Sequence, residues 1–107
     1  MFASIRRYRL DSGSIDDLLR TIDQDFAERV QQLEGFVEYQ LLECGNGEWI
    51  TITTFADRRS AEASIEVAAS WISETVAKRM DITRLEAFVG EVVISRARAE
   101  VLEEEHY

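Results

Sequence analysis

The periodicity of apolar residues changes four times along these 107 residues, and the order of the changes leaves few folds open. Alternation places every second side chain on one face of a strand, whereas spacings of three and four mark one face of a helix. Residues 2–10 alternate, with Ile5 between Ser4 and Arg6 and with Tyr8 and Leu10 following. After Asp11-Ser12-Gly13, Ser14 is placed to cap a helix, with Asp17 three residues on and Asp16 in the first turn. Ile15, Leu18, Leu19, Ile22, Phe26, Val30 and Leu33 then form one stripe, which Gly35 is expected to close in the left-handed conformation. Residues 36–44 and 49–55 alternate again around Gly45-Asn46-Gly47, a hairpin turn whose residues tolerate positive φ. A second helix is expected from Asp57 or Ser60 to about Met80, with Ile65, Ala68, Ile72 and Val76 as its buried line. Residues 85–97 read as a last strand, apolar on both faces through Phe88, Val89, Val92, Val93 and Ile94.

Strand–helix–strand–strand–helix–strand is the ferredoxin-like βαββαβ order. The expected class is therefore α+β, with a four-stranded antiparallel sheet, as one domain over residues 1–97 and an acidic tail over 98–107. A chain of this length buries roughly two-thirds of its unfolded surface as a single core. Two helices cover only one face of such a sheet. The hairpin offers Val37, Tyr39, Leu41, Ile50 and Ile52 to the helices and leaves Phe36, Leu42, Trp49, Thr51, Thr53 and Phe55 on the other side. An aromatic surface of that kind marks an interface. The simplest cover is a second copy about a two-fold axis, so a homodimer is expected.

Net charge is −9, and the basic residues are scattered rather than blocked. Arg6, Arg7 and Arg9 would be divided between two faces of a strand, so no nucleic-acid partner is expected. No run approaches the ~20 apolar residues of a membrane span, and a cytoplasmic protein without membrane partners is the default expectation. Cys44 stands alone, so no intrachain disulfide forms, and it reads as a small buried hydrophobe.

The Leu33-Glu34-Gly35-Phe36 junction resembles the antibiotic biosynthesis monooxygenase family of dimeric α/β barrels. So do Trp49 to Asp57 leading into an Ala- and Ser-rich helix, Trp71 late in that helix, and Gly90-Glu91-Val92 in the closing strand. The likeness spans about residues 2–97. It implies a barrel of two sheets with outer helices, a pocket between sheet and helices, and either an oxygenase of an aromatic or quinol substrate that uses no cofactor or, as the alternative, a non-catalytic small-molecule-binding or stress-associated homodimer of the same fold. Trp71 matches the family's helix tryptophan at the pocket, with packing at the helix–sheet boundary as its other reading. Arg6 and Tyr8 are the catalytic candidates beside it, and Phe55, Gln40 and Glu91 the candidates for lining a substrate pocket. Glu38 is a further polar strand residue. An Arg–Glu pair across strands would either hold a substrate oxygen or fix the dimer register. The resemblance departs where chemistry is concerned: the only His is His106 and the only Asn is Asn46, in the tail and the hairpin turn. Haem ligation and metal binding are therefore not expected.

Overall fold

The computed structural model describes residues 1–98. Strand β1 (Phe2–Ser12) leads into α1 (Ile15–Thr21), a π-turn over Ile22–Phe26, and α2 (Ala27–Gln31). The hairpin β2 (Phe36–Gly45) and β3 (Glu48–Phe55) follows, then α3 (Arg58–Trp71), a second π-turn over Ile72–Val76, and β4 (Asp81–Glu91). The sheet order is β2-β3-β1-β4, every pair antiparallel, which is the ferredoxin-like arrangement. The Ser14 hydroxyl accepts from the Asp17 N–H, and the Asp57 carboxylate accepts from the Ser60 N–H, so both helical rods start on side-chain caps. Asn46 and Gly47 both adopt positive φ (55° and 77°), the type I′ turn that matches strand twist. Gly35 has positive φ, but it lies beyond the helix end at Gln31, in a turn whose carbonyl accepts from the Ala56 N–H at 2.7 Å.

The faces of β3 are opposite to those expected from alternation, whereas on β2 Tyr39 and Leu41 pack toward the core and Leu42 faces outward as expected. Trp49, Thr51, Thr53 and Phe55 are buried beneath the helices, and Ile50 and Ile52 turn outward. Parity cannot choose between two faces that are both apolar; the larger aromatic side chains fill the helix–sheet layer. A register shift between Phe36 and Glu38 then puts Phe36 and Tyr39 on the same inward side. The spine of α3 is likewise rotated from Ile65 to the smaller Ala61, Ser64 and Ala68, with Trp71 at its end, all buried. Small residues let this helix lie close upon β1.

Strand β4 also starts and stops earlier than residues 85–97. Leu10 pairs with Ile82, and Phe2 with Glu91; the Met1 carbonyl accepts from the Val92 N–H. Val93 and Ile94, beyond the strand, are about 80% exposed. Cys44 is exposed rather than buried. The acidic tail and His106 fall outside the described residues, apart from Arg98.

The outward face remains apolar, though with other residues than expected. Phe88, Ile5, Ile52 and Gln40 form one row across all four strands, and Leu42 and Ile50 flank it. Phe88, Leu42 and Val37 are each about half exposed. No helix among the described residues is long and apolar enough to cross a membrane.

Candidate functional site

Alternation along β1 sends Ser4, Arg6 and Tyr8 inward, under the helices. Arg6 is therefore a guanidinium with no solvent exposure at all. Its partners are neutral oxygens: Nε donates to Thr51 Oγ1 at 2.9 Å, Nη1 to the Ser64 carbonyl at 3.1 Å, and Nη2 to Thr53 Oγ1 at 3.3 Å. Direct pairing of Arg6 with Thr51 across the β1–β3 ladder supplies the first of these. The Phe26 ring lies 5.6 Å beneath the guanidinium carbon. Arg6 takes part in none of the ion pairs found among the described residues.

Beside Arg6 a narrow cleft opens between the sheet and the two helical rods. Its free space is about 290 Å³ when the mouth continuous with solvent is counted, and little of that is enclosed. Its walls are aromatic. Tyr8 stacks on Trp49 with centroids 5.1 Å apart, and Phe26 meets both Tyr39, edge-on, and Trp71, tilted at 5.2 Å. Burial pushes the Tyr39 phenol far up and raises that of Tyr8, and the charge of Arg6 opposes both shifts. Both are therefore protonated at neutral pH. The Tyr39 hydroxyl is buried with no hydrogen-bond partner.

Trp71 is held by its indole N–H, which donates to Asp25 Oδ2 at 2.8 Å, while Arg29 Nε donates to Oδ1 at 3.0 Å. The Trp71 hydrogen bond, then Arg29, holds the Asp25 carboxyl below its usual range. Asp25 and Phe26 lie in the first π-turn, and the second begins at Ile72, directly after Trp71. In each, an N–H reaches back five residues, from Ala27 to the Ile22 carbonyl and from Ala77 to that of Ile72. Such turns insert an extra residue into a helix and re-aim its side chains, often at functional sites.

Of the sequence-predicted residues, Arg6, Tyr8 and Trp71 come together on this one cleft. Phe55 is buried elsewhere on the inward face, edge-on to Phe36. Gln40 is exposed on the outward face opposite Ile52, and Glu91 is exposed at the end of β4, opposite Phe2. The cross-strand Arg–Glu contacts belong to Arg7, with Glu48 and Glu86 on the outward side. Thr51, Trp49, Tyr39 and Phe26 line the cleft without having been singled out for it. The signal for Thr51 was present in principle, since a buried arginine on one strand needs oxygens opposite it on the next. Among the described residues no group of three or more His, Cys, Asp or Glu is placed to hold a metal.

No protein-family model matches the sequence, and no curated protein matches it. Solved structures do match its fold. A dimeric ferredoxin-like protein from an uncultured marine organism superposes with a TM-score of 0.68 at 13% identity, over 91% of this chain and 98% of its own. SnoaB, a cofactor-independent oxygenase from Streptomyces nogalater, gives 0.66 at 12% identity, over 88% and 94%. An antibiotic biosynthesis monooxygenase gives 0.60 at 16% identity, over 88% and 100%. The chain thus has the ferredoxin-like α+β fold that antibiotic biosynthesis monooxygenases adopt, as the resemblance in its sequence implied.

Proposed function

We propose that this protein is a homodimeric oxygenase that oxidises a small phenol or quinol with molecular oxygen, using no metal, flavin or haem. The observation that carries the reading is a buried guanidinium, with neutral partners, set in an aromatic cleft beside Trp71. Aromatic walls stack on a flat ring, and a cation at one end favours negative charge developing on its oxygen. A phenol loses its hydroxyl hydrogen and the hydrogen on the para carbon. One oxygen atom of O₂ becomes the new quinone carbonyl and the other leaves as water, so the substrate supplies all four electrons. The likeness in fold to SnoaB supports this class. Tyr8 and Trp71 orient the ring in this reading, and Arg6 stabilises its anion.

Oxygen consumption against a panel of phenols and quinols is the test. Uptake is expected with the native protein and lost in the Trp71→Ala, Tyr8→Phe double variant; undiminished uptake in that variant overturns the roles given to those residues.

One observation favours a second reading, a non-catalytic binder of the same ligands. The two phenols of the cleft are both held protonated, so neither is a base at neutral pH. A ligand recovered chemically unaltered after incubation under oxygen would support it.

The half-exposed apolar row on the outward sheet face supports the dimer. Sedimentation is expected to give twice the 12.3 kDa of one chain. A lone chain at micromolar concentration removes that part of the proposal.

A further inference from the structure

We infer that Asp25 is a positioning residue of the cleft, which fixes the Trp71 indole in the orientation that a flat ligand meets. The inference rests on the cleft being a ligand site, as proposed above, and adds the residue that sets its wall before a ligand arrives.

Two consecutive residues of the first π-turn grip Trp71. The Asp25 carboxylate accepts from the indole N–H at 2.8 Å, and the Phe26 ring meets the indole at 5.2 Å, tilted by 54°. One contact pins an edge of the indole and the other bears on its ring, so together they restrain both its position and its plane. Arg29 Nε donates to the second carboxylate oxygen at 3.0 Å, so Asp25 is itself held. Any acceptor would satisfy a buried indole N–H. A carboxylate anchored by an arginine is a stronger and more directed one. Trp71 is buried and lines the cleft, whereas Asp25 does not line it and so acts through the indole. The same bond spans the two helical rods, from the one that follows β1 to the end of α3. Arg79 ties the rods a second time, donating to Thr21 Oγ1 at 2.9 Å and to Asp17 Oδ2 at 3.2 Å. Rod separation is one dimension of a cleft walled by Ile22 and Phe26 from the first rod and by Ala68 and Trp71 from the second. Without the Asp25 bond a ligand would have to order the ring as it binds. Ordering one such side chain weakens affinity by about fivefold.

The probe is 4-methoxyphenol, whose single ring suits a narrow cleft, and its binding is followed by equilibrium dialysis. Asp25→Leu, which removes the acceptor, is expected to weaken binding by about fivefold. Asp25→Asn keeps an acceptor oxygen and should stay within about twofold of the native chain. In a Trp71→Phe background, where the ring has no N–H to hold, Asp25→Leu should change nothing further, which closes a double-mutant cycle. Affinities are compared well below the unfolding midpoint of each variant, where a loss of stability alone leaves them unmoved. Undiminished binding in Asp25→Leu overturns the inference, as does an equal loss in the Trp71→Phe background, or no saturable binding to the native chain. Oxygen uptake is read separately. Coupled binding without oxygen consumption leaves this inference standing and removes the oxygenase reading, and consumption with undiminished binding in Asp25→Leu does the reverse.

Discussion

Arg6 and Arg7 are neighbours in the chain, and strand alternation sends them to opposite faces of the sheet. Arg7, about 38% exposed, is flanked by Glu48 at 2.9 Å and Glu86 at 2.7 Å, and these hydrogen bonds raise its pKa. Arg6, with no exposure, has two threonine hydroxyls and a carbonyl. The charge that water could have solvated is matched by two carboxylates. The charge hidden from water is met by neutral oxygens. Stability alone would favour the reverse assignment, since an unmatched buried charge is costly and an exposed ion pair contributes little. The inward face is therefore built around something other than its own stability, whereas on the outward face the charges are matched beside an apolar row.

The sharpest contrast is between ring truncations on the two faces. Phe26 is 3% exposed and touches Tyr39, Trp71 and Arg6, so Phe26→Ala should lower unfolding stability by about 3–5 kcal/mol. Phe88, half exposed, has much less to lose, and Phe88→Ala should cost the separated chain about 1 kcal/mol. Urea midpoints of both variants, taken at concentrations low enough to dissociate a dimer, decide this. Equal losses would mean that the two faces are not distinct environments.

The arginines themselves give a smaller and more telling difference. Arg6→Met replaces a buried charge by a side chain of similar length, and exchanges of that kind are often neutral or stabilising. Without ligand the variant should be as stable as the native chain or more stable by about 1–2 kcal/mol, a trade of stability against function. Arg7→Met should leave stability nearly unchanged, because exposed ion pairs contribute little. Thermal unfolding of the two, side by side, is the measurement. A loss of several kcal/mol in Arg6→Met would instead make Arg6 a structural clamp between β1, β3 and α3.

The order of periodicities was enough to order the strands and both helical rods, though not to bound β4, because burial on one side writes itself into spacing. Arg6 and Tyr8 stood out as polar residues within a strand, and Trp71 was placed by resemblance. Which face of β3 points inward was not legible, since Trp49, Phe55, Ile50 and Ile52 make both faces apolar and only packing volume decides. The bulge at Val37 was equally silent. The π-turns did leave a trace. Leu18, Ile22, Phe26 and Val30 are spaced by strict fours, as are Ala68, Ile72, Val76 and Met80. In an α-helix four residues overshoot a turn by about 40°, so three such steps drift by about 120°. All four residues of the first series are buried nonetheless, because the extra residue of the π-turn absorbs the drift.

The smallest expected effect concerns Asp25, which joins the exposed helix surface to the cleft wall. Its carboxylate accepts from the Trp71 indole and from Arg29, and both hold its pKa below the ordinary value. A carboxyl whose folded pKa is depressed contributes stability that is complete above its unfolded pKa, about 3.9, and is lost as pH falls through the lower folded value. Its side chain is more than a third exposed, so solvent screens the contribution to a few tenths of a kcal/mol. Asp25→Asn should remove that acid-dependent component of stability. It should also weaken the hold on the Trp71 ring at neutral pH by replacing a charged acceptor with a neutral one, seen as a change in tryptophan emission that does not occur in a Trp71→Phe background. The corresponding outward-face variant, Glu86→Gln, should leave the emission unaltered, because Arg7 touches no tryptophan through that carboxylate. Identical emission changes in Asp25→Asn and Glu86→Gln would mean that acidification loosens both faces alike, and that Trp71 is held by packing alone.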